Sequence, residues 1–166
     1  MSTNNQYHGG NRYPNQNQVR QNQQSQHTSV KYDFKFWQES TDKKIVNPKL
    51  FSEEAKKIAD NFNSSKTGEK NKNKNNPTQI RKFYDEILKY KTLIKDENDF
   101  KKYHAYINML IPKAAYSKGR NLVTQEFTEF IKYSLSLIND YKDFIVFVNL
   151  FESVIAYYKE LNPSEK

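Results

Sequence analysis

The pattern that most limits the fold of this chain lies near its end. Between about residues 141 and 161, Phe144, Phe147, Val148, Phe151, Val154, Ile155, Tyr158 and Leu161 recur at helical spacing. Ile145, Val146 and Leu150 add a second apolar strip to the same segment. A helix that is apolar nearly all round is either the centre of a bundle or carries a second face for a partner.

The upstream sequence offers four further amphipathic patterns with period 3.6. Ser52 is an expected N-cap, followed by Glu53-Glu54 in the first turn, for a helix bearing Ala55, Ile58, Ala59 and Phe62. Pro77 or Thr78 opens a second, with Ile80, Phe83, Tyr84, Ile87, Leu88 and Ile94 inward. Asp96 caps a third carrying Phe100, Tyr103, His104, Ile107 and Leu110. Thr124 starts a fourth with Phe127, Phe130, Ile131, Leu135 and Ile138. No segment shows convincing period-2 alternation. The expected fold is therefore all-α, a small bundle of about five helices with a disordered N-terminal extension.

Composition divides the chain. Residues 1–31 form the expected disordered tail: the first 30 hold 13 Asn/Gln and no acid, too little apolar area to offset ordering entropy. Residues 32–51 form an aromatic-rich arm with Tyr32, Phe34, Phe36 and Trp37, then Ile45, Val46, Leu50 and Phe51. Such an arm either covers the chain's own core or anchors a partner, and the residues leave both open. Residues 52–161 are the expected helical domain.

Charge is uneven. The formal net charge is +8, made of +4 over residues 1–51, +5 over 52–95 and −1 over 96–166. A positive field confined to one part of a chain favours an anionic partner over a small neutral substrate. The stretch 66–82 holds Lys66, Lys70, Lys72, Lys74, Arg81 and Lys82 against the single acid Glu69. This reads as a phosphate-binding arm. Arg81 and Lys82 also have Asp85 and Glu86 at i,i+4, so surface pairing competes with that reading.

The chain has no cysteine, which removes disulfides and thiolate chemistry and agrees with an intracellular protein. No apolar run approaches 18 residues, and no hydrophobic stretch follows the first charges. No membrane partner is expected, and the cytoplasm is the expected location.

Catalytic constellations are missing from the sequence. His8 and His27 fall in the polar tail, and His104 flanks a core position, where a packed ring is commoner than a base. No His/Asp/Glu spacing matches a metal site, and Ser65-Lys66-Thr67-Gly68 has P-loop letters in the wrong order. The chain is thus expected not to be an enzyme and to need no metal or other cofactor. Glu152 lies inside the most apolar helix, where a charge needs a partner. A structural ion pair with Arg81, Arg120 or a lysine is expected there.

The connector Leu110-Ile111-Pro112-Lys113-Ala114-Ala115-Tyr116-Ser117-Lys118-Gly119-Arg120 is unlike an ordinary loop. Pro112 ends or kinks the third helix and suits the first turn of a short following segment, which Gly119 stops in the left-handed region. Lys113, Tyr116, Lys118 and Arg120 have no acid nearer in sequence than Glu126. Cations and an aromatic ring on a stiff hinge suit a nucleic-acid backbone.

Three pieces in order resemble one family: Ile80-Arg81-Lys82-Phe83-Tyr84-Asp85-Glu86-Ile87; the run from Leu110 to Tyr116 with Gly119-Arg120; and Phe127, Phe130 and Phe151-Glu152-Ser153-Val154-Ile155-Ala156-Tyr157-Tyr158-Lys159. Together, over roughly residues 78–160, they resemble the small helical subunit of the type III-A CRISPR effector, the Csm complex. The Gln/Asn tail departs from the compact family domain. The resemblance implies a non-catalytic subunit of an antiviral complex. Several copies would line its inner groove, head to tail, beside the backbone subunits that carry guide RNA. They would hold target RNA along the guide, while catalysis belongs to the backbone and large subunits.

On this reading Arg81, Lys82, Lys113, Lys118 and Arg120, with Lys70, Lys72 and Lys74, contact phosphates and 2′-hydroxyls, which carry no sequence information, while Tyr116 either stacks on a base or sugar or packs in the hinge. Alternatives are a stand-alone nucleic-acid-binding bundle, with Asn121, Gln125 and Arg120 near one helix start, a ribonuclease using His104, and a structural adaptor for an acidic protein.

Overall fold

The apolar 21-residue segment is the helix Tyr141–Leu161, and it is central. The protein is described here from a computed structural model, which covers residue 1 and residues 31–38, 45–66 and 71–163. Among these residues there are six α-helices: α1 Ala55–Ser64, α2 Pro77–Leu93, α3 Glu97–Asn108, α4 Leu110–Gly119, α5 Gln125–Ser136 and α6 Tyr141–Leu161. A π-helical turn, Leu50–Glu54, runs directly into α1. The polar tail and Lys70 lie outside the described residues.

On α6, Phe144, Val146, Phe147, Val148, Leu150, Phe151, Val154 and Tyr158 are buried, which is why it is apolar around most of its circumference. It packs against α1, α2 and the π turn, while α4 lies on α5 and α3 joins the α2 and α4 sides. The core is aromatic: Phe62, Phe127, Phe130, Phe147 and Phe151 meet edge-on or tilted at centroid separations of 5.3–6.5 Å. Such pairs add about 0.5–1.5 kcal/mol each beyond area burial.

Asp96 caps α3 by accepting from Asp99 N–H at 2.9 Å, and Thr124 caps α5 through Phe127 N–H at 3.5 Å. Asn76 caps α2 ahead of Pro77, and Asp140 caps α6. Ser52 is not a cap. The chain turns helical earlier, at Leu50, so Ser52 falls inside the π turn with its hydroxyl directed at the Lys49 carbonyl.

The connector after Pro112 is itself the ten-residue helix α4. Pro112 is its third residue, a position whose N–H has no backbone partner within its own helix, while its ring blocks continuous helix from α3. Gly119 remains helical, contrary to the expectation that it stops the segment. The left-handed residue is Asn121, at φ 59°, two positions later.

The aromatic arm covers the protein's own core. Tyr32, Phe34 and Phe36 are buried while Lys31, Asp33 and Lys35 face solvent, the period-2 alternation of an extended segment. An antiparallel bridge pairs Trp37 with Val46. Tyr32 donates to the Glu126 carbonyl at 3.1 Å, and the Phe34 carbonyl accepts from Tyr133 at 2.9 Å. Trp37 Nε1 donates to the buried Asp143 carboxylate at 2.6 Å. This short alternation, Tyr32-Asp33-Phe34-Lys35-Phe36, is present in the sequence but docks by side chains, with no neighbouring strand run to announce it.

Candidate nucleic-acid interface

One buried residue gathers the basic elements at one end of the bundle. Asn75, fully buried and left-handed at φ 52°, precedes the α2 cap. Its N–H donates to the Leu122 carbonyl at 3.0 Å, tying the loop to the α4–α5 junction. Its side-chain nitrogen donates to the Phe62 carbonyl at the end of α1 and to the Thr124 hydroxyl, and its Oδ1 accepts from Thr124 N–H. Its carbonyl accepts from the Tyr158 hydroxyl near the end of α6. The starts of α2 and α5 and the ends of α1, α4 and α6 therefore converge.

Three grooves open around this end. Between α2 and α4 lies one of about 420 Å³, lined by Lys82, Lys113 and Tyr116 together with Gln79, Phe83, Glu86 and Met109. Lys74 and Lys118 share a second cleft of about 520 Å³ with Asn71, Asn121 and Gln125. Arg81 faces α6 instead, in a groove of about 390 Å³ with Lys159 and Tyr158. Adjacent helical residues differ by about 100° in direction, so Arg81 and Lys82 serve different grooves.

The cations are not equally available. Lys113 is ion-paired with Glu86 across the α2–α4 groove. The absence of a nearby acid in sequence is thus no guide to its pairing, because the partner lies 27 residues away on another helix. Arg81 pairs with Asp85 at 2.7 Å and lies 5.6 Å from the Tyr84 ring centroid; the carboxylate holds its pKa above the usual value. Lys118 donates to the Gln125 amide oxygen at 2.6 Å. Arg120 sits 5.6 Å from the Tyr116 ring centroid. Among the described residues no ion pair engages Lys82, Lys118 or Arg120. Lys118 and Arg120 also stand where the α4 dipole favours positive charge. Lys72 is exposed and Lys74 half-buried on the same approach.

Lys66, the first cation of the basic stretch 66–82, also belongs to this end. It donates to the Asn162 amide oxygen and lies 5.0 Å from the Tyr158 ring centroid, and burial lowers its pKa. Asn75 is the residue that sequence reasoning misses; its one signal is the Asn75-Asn76-Pro77 turn sequence.

Glu152 has no ion-pair partner among the described residues, contrary to expectation. It is exposed, on the narrow polar strip of α6, so no burial cost demands a cation. Its carboxylate faces the Tyr84 hydroxyl; burial, with Glu152 second, pushes Tyr84 up to about 12. His104 stacks on Phe100 at 4.7 Å. Among the described residues no group of three or more His, Asp or Glu could hold a metal ion, and no helix is long and apolar enough to cross a membrane.

No curated protein matches this chain. No solved structure matches it either. The sequence model of the Csm2 type III-A family matches residues 46–164, from Val46 in the arm to beyond the end of α6. That span takes in every helix of the bundle, and with it the chain belongs to the Csm2 type III-A family, the small helical subunit of the type III-A CRISPR effector.

Proposed function

We propose that this subunit is a non-catalytic RNA-holding element of the Csm complex. It lines the inner groove and keeps target RNA along the guide by sequence-independent contacts to phosphates and 2′-hydroxyls. The observation that carries this reading is the convergence of Lys74, Lys82, Lys113, Lys118 and Arg120 on adjoining grooves at the Asn75 end. Lys72 extends the same surface, and Arg81 contributes from the α6 side; Lys70, outside the described residues, is assigned to RNA contact by its charge alone. Phosphates would exchange easily with exposed side chains of this kind, so target sequence is left to guide pairing.

Other Csm subunits are its partners. We further place copies of the chain head to tail beside the backbone and large subunits, in the cytoplasm. Each copy then need bind only weakly, because neighbours raise the effective concentration.

The test is binding to single-stranded and guide-paired RNA of unrelated sequences across a salt series, with wild type and Lys113→Ala/Lys118→Ala/Arg120→Ala. Sequence-tolerant binding is expected, falling by about 0.7 log units per phosphate contact for each tenfold rise in salt on single strands. The triple variant should lose it. Binding that is salt-insensitive or confined to one sequence would overturn the proposal.

A further inference from the structure

The α2–α4 groove differs from the two neighbouring grooves in holding large apolar side chains that stand exposed and that nothing in the fold uses. Tyr116 is 67% exposed and Met109 50% exposed, while Phe83 forms a buried floor. A tyrosine left this open contributes little to the core. Its hydroxyl bonds no described residue, whereas Tyr32, Tyr133 and Tyr158 all place theirs on backbone carbonyls. Arg120, one turn along α4, lies against the Tyr116 ring and helps fix its orientation.

We propose that this groove is a stacking subsite for one unpaired nucleobase of the bound strand. Tyr116 forms the stacking wall, Phe83 and Met109 the apolar floor and edge, and Lys82, Lys113 and Arg120 the cationic rim. The inference rests on the RNA-holding reading above and divides its surface. The Lys74–Lys118 cleft has no aromatic residue in its lining and suits backbone, whereas the α2–α4 groove combines a flat ring with cations. Charge selects the occupant: Lys82, Lys113 and Arg120 outnumber the one acid, Glu86, so a strand carrying phosphates fits better than an acid-free apolar peptide. Stacking accepts any base, because every base has a π-face, so the subsite is consistent with sequence tolerance. Gln79 and Glu86 add an amide and a carboxylate at the groove edge that can accept from exocyclic amino groups.

The experiment uses the full chain, single-stranded RNA containing 2-aminopurine, and an abasic ribose-phosphate strand of equal charge. Wild type should bind RNA about tenfold more tightly than the abasic strand, the order of one base–aromatic stack, with 2-aminopurine emission quenched on binding. Tyr116→Leu should remove both the preference and the quenching without changing the salt slope, and Tyr116→Phe should keep them. Because the ring is exposed, both variants should retain wild-type circular dichroism.

Equal binding of RNA and abasic strand by wild type, with Tyr116→Leu unchanged, would overturn the subsite and leave phosphate holding intact. No binding of either strand by wild type at low salt would overturn both readings. A Tyr116→Leu variant that binds RNA normally but loses self-association would assign the groove to a second copy instead and overturn the nucleobase.

Discussion

Asn75 Oδ1 accepts the Thr124 backbone N–H at 2.9 Å, and Asn75 Nδ2 donates to the Thr124 hydroxyl at 2.9 Å. The two residues are 49 apart in sequence, and both are buried. This reciprocal pair fixes the start of α5 against the start of α2, and so sets the spacing of the cationic grooves. Asn suits the position twice over. It tolerates the left-handed region better than most residues, and its amide satisfies a carbonyl, a hydroxyl and an N–H at once.

Replacing Asn75 by alanine should therefore be costly. It strands the Thr124 N–H in the interior, removes one of two side-chain donors to the Phe62 carbonyl and strains the backbone, with an expected loss of about 3 kcal/mol. Asn75→Gly should lose less, because glycine takes the left-handed conformation freely. Urea denaturation of both variants checks the order. Equal losses would show that the side-chain bonds, not the backbone conformation, set the cost.

The helices were legible because burial imposes a 3.6 period on them. The 3.6 period places Phe127, Phe130, Ile131, Leu135 and Ile138 inward, and all are buried. Asp96 and Thr124 stand in the sequence as helix starts, and both cap. What the sequence hid depends on contacts between distant residues. Lys113 looks unpaired until α2 brings Glu86 to it. Glu152 looks buried until α6 is seen to keep one strip toward solvent. Gly119 attracted the helix stop because glycine commonly ends helices, but the turn falls on Asn121, which also tolerates positive φ.

The arm should report its own docking. Trp37 is the one tryptophan of the chain, and its indole donates to buried Asp143. Trp37→Phe removes that donor and should cost about 1–3 kcal/mol. In wild type, tryptophan emission and far-ultraviolet circular dichroism should shift at the same urea concentration, because Tyr32, Phe34 and Phe36 belong to the common core. Emission that shifts first would make the arm a separate, weaker unit.

Alkaline pH should destabilise the fold. Burial raises the pKa of Tyr84 to about 12 from 10.0, and burial also raises those of Tyr32 and Tyr158. A phenol whose folded pKa lies above its unfolded value stabilises fully below the unfolded pKa, and this contribution falls as pH rises toward the folded value. For Tyr84 the window is pH 10 to about 12. Denaturation midpoints should fall progressively above pH 10, and Tyr84→Phe should lessen the fall. Phenolate absorbance should show buried tyrosines ionising only as the chain unfolds. Reversible titration of every tyrosine near 10 with helicity retained would contradict this.

Glu86→Gln gives the sharpest separation between structure and binding. The Lys113–Glu86 pair is 48% and 25% exposed at its two side chains, so its contribution to stability is small, less than about 1 kcal/mol. In the groove, however, Glu86 neutralises one of the proposed phosphate contacts and repels a polyanion. Neutralising it should leave the urea midpoint nearly unchanged while RNA binding tightens. The salt slope should steepen as Lys113 becomes available, by up to about 0.7 per phosphate on single strands. The double variant Glu86→Gln/Lys113→Ala should lose that steepening. If Glu86→Gln weakened RNA binding instead, Glu86 would be contacting the RNA itself, through a base amino group or a 2′-hydroxyl, and Lys113 would serve to orient it.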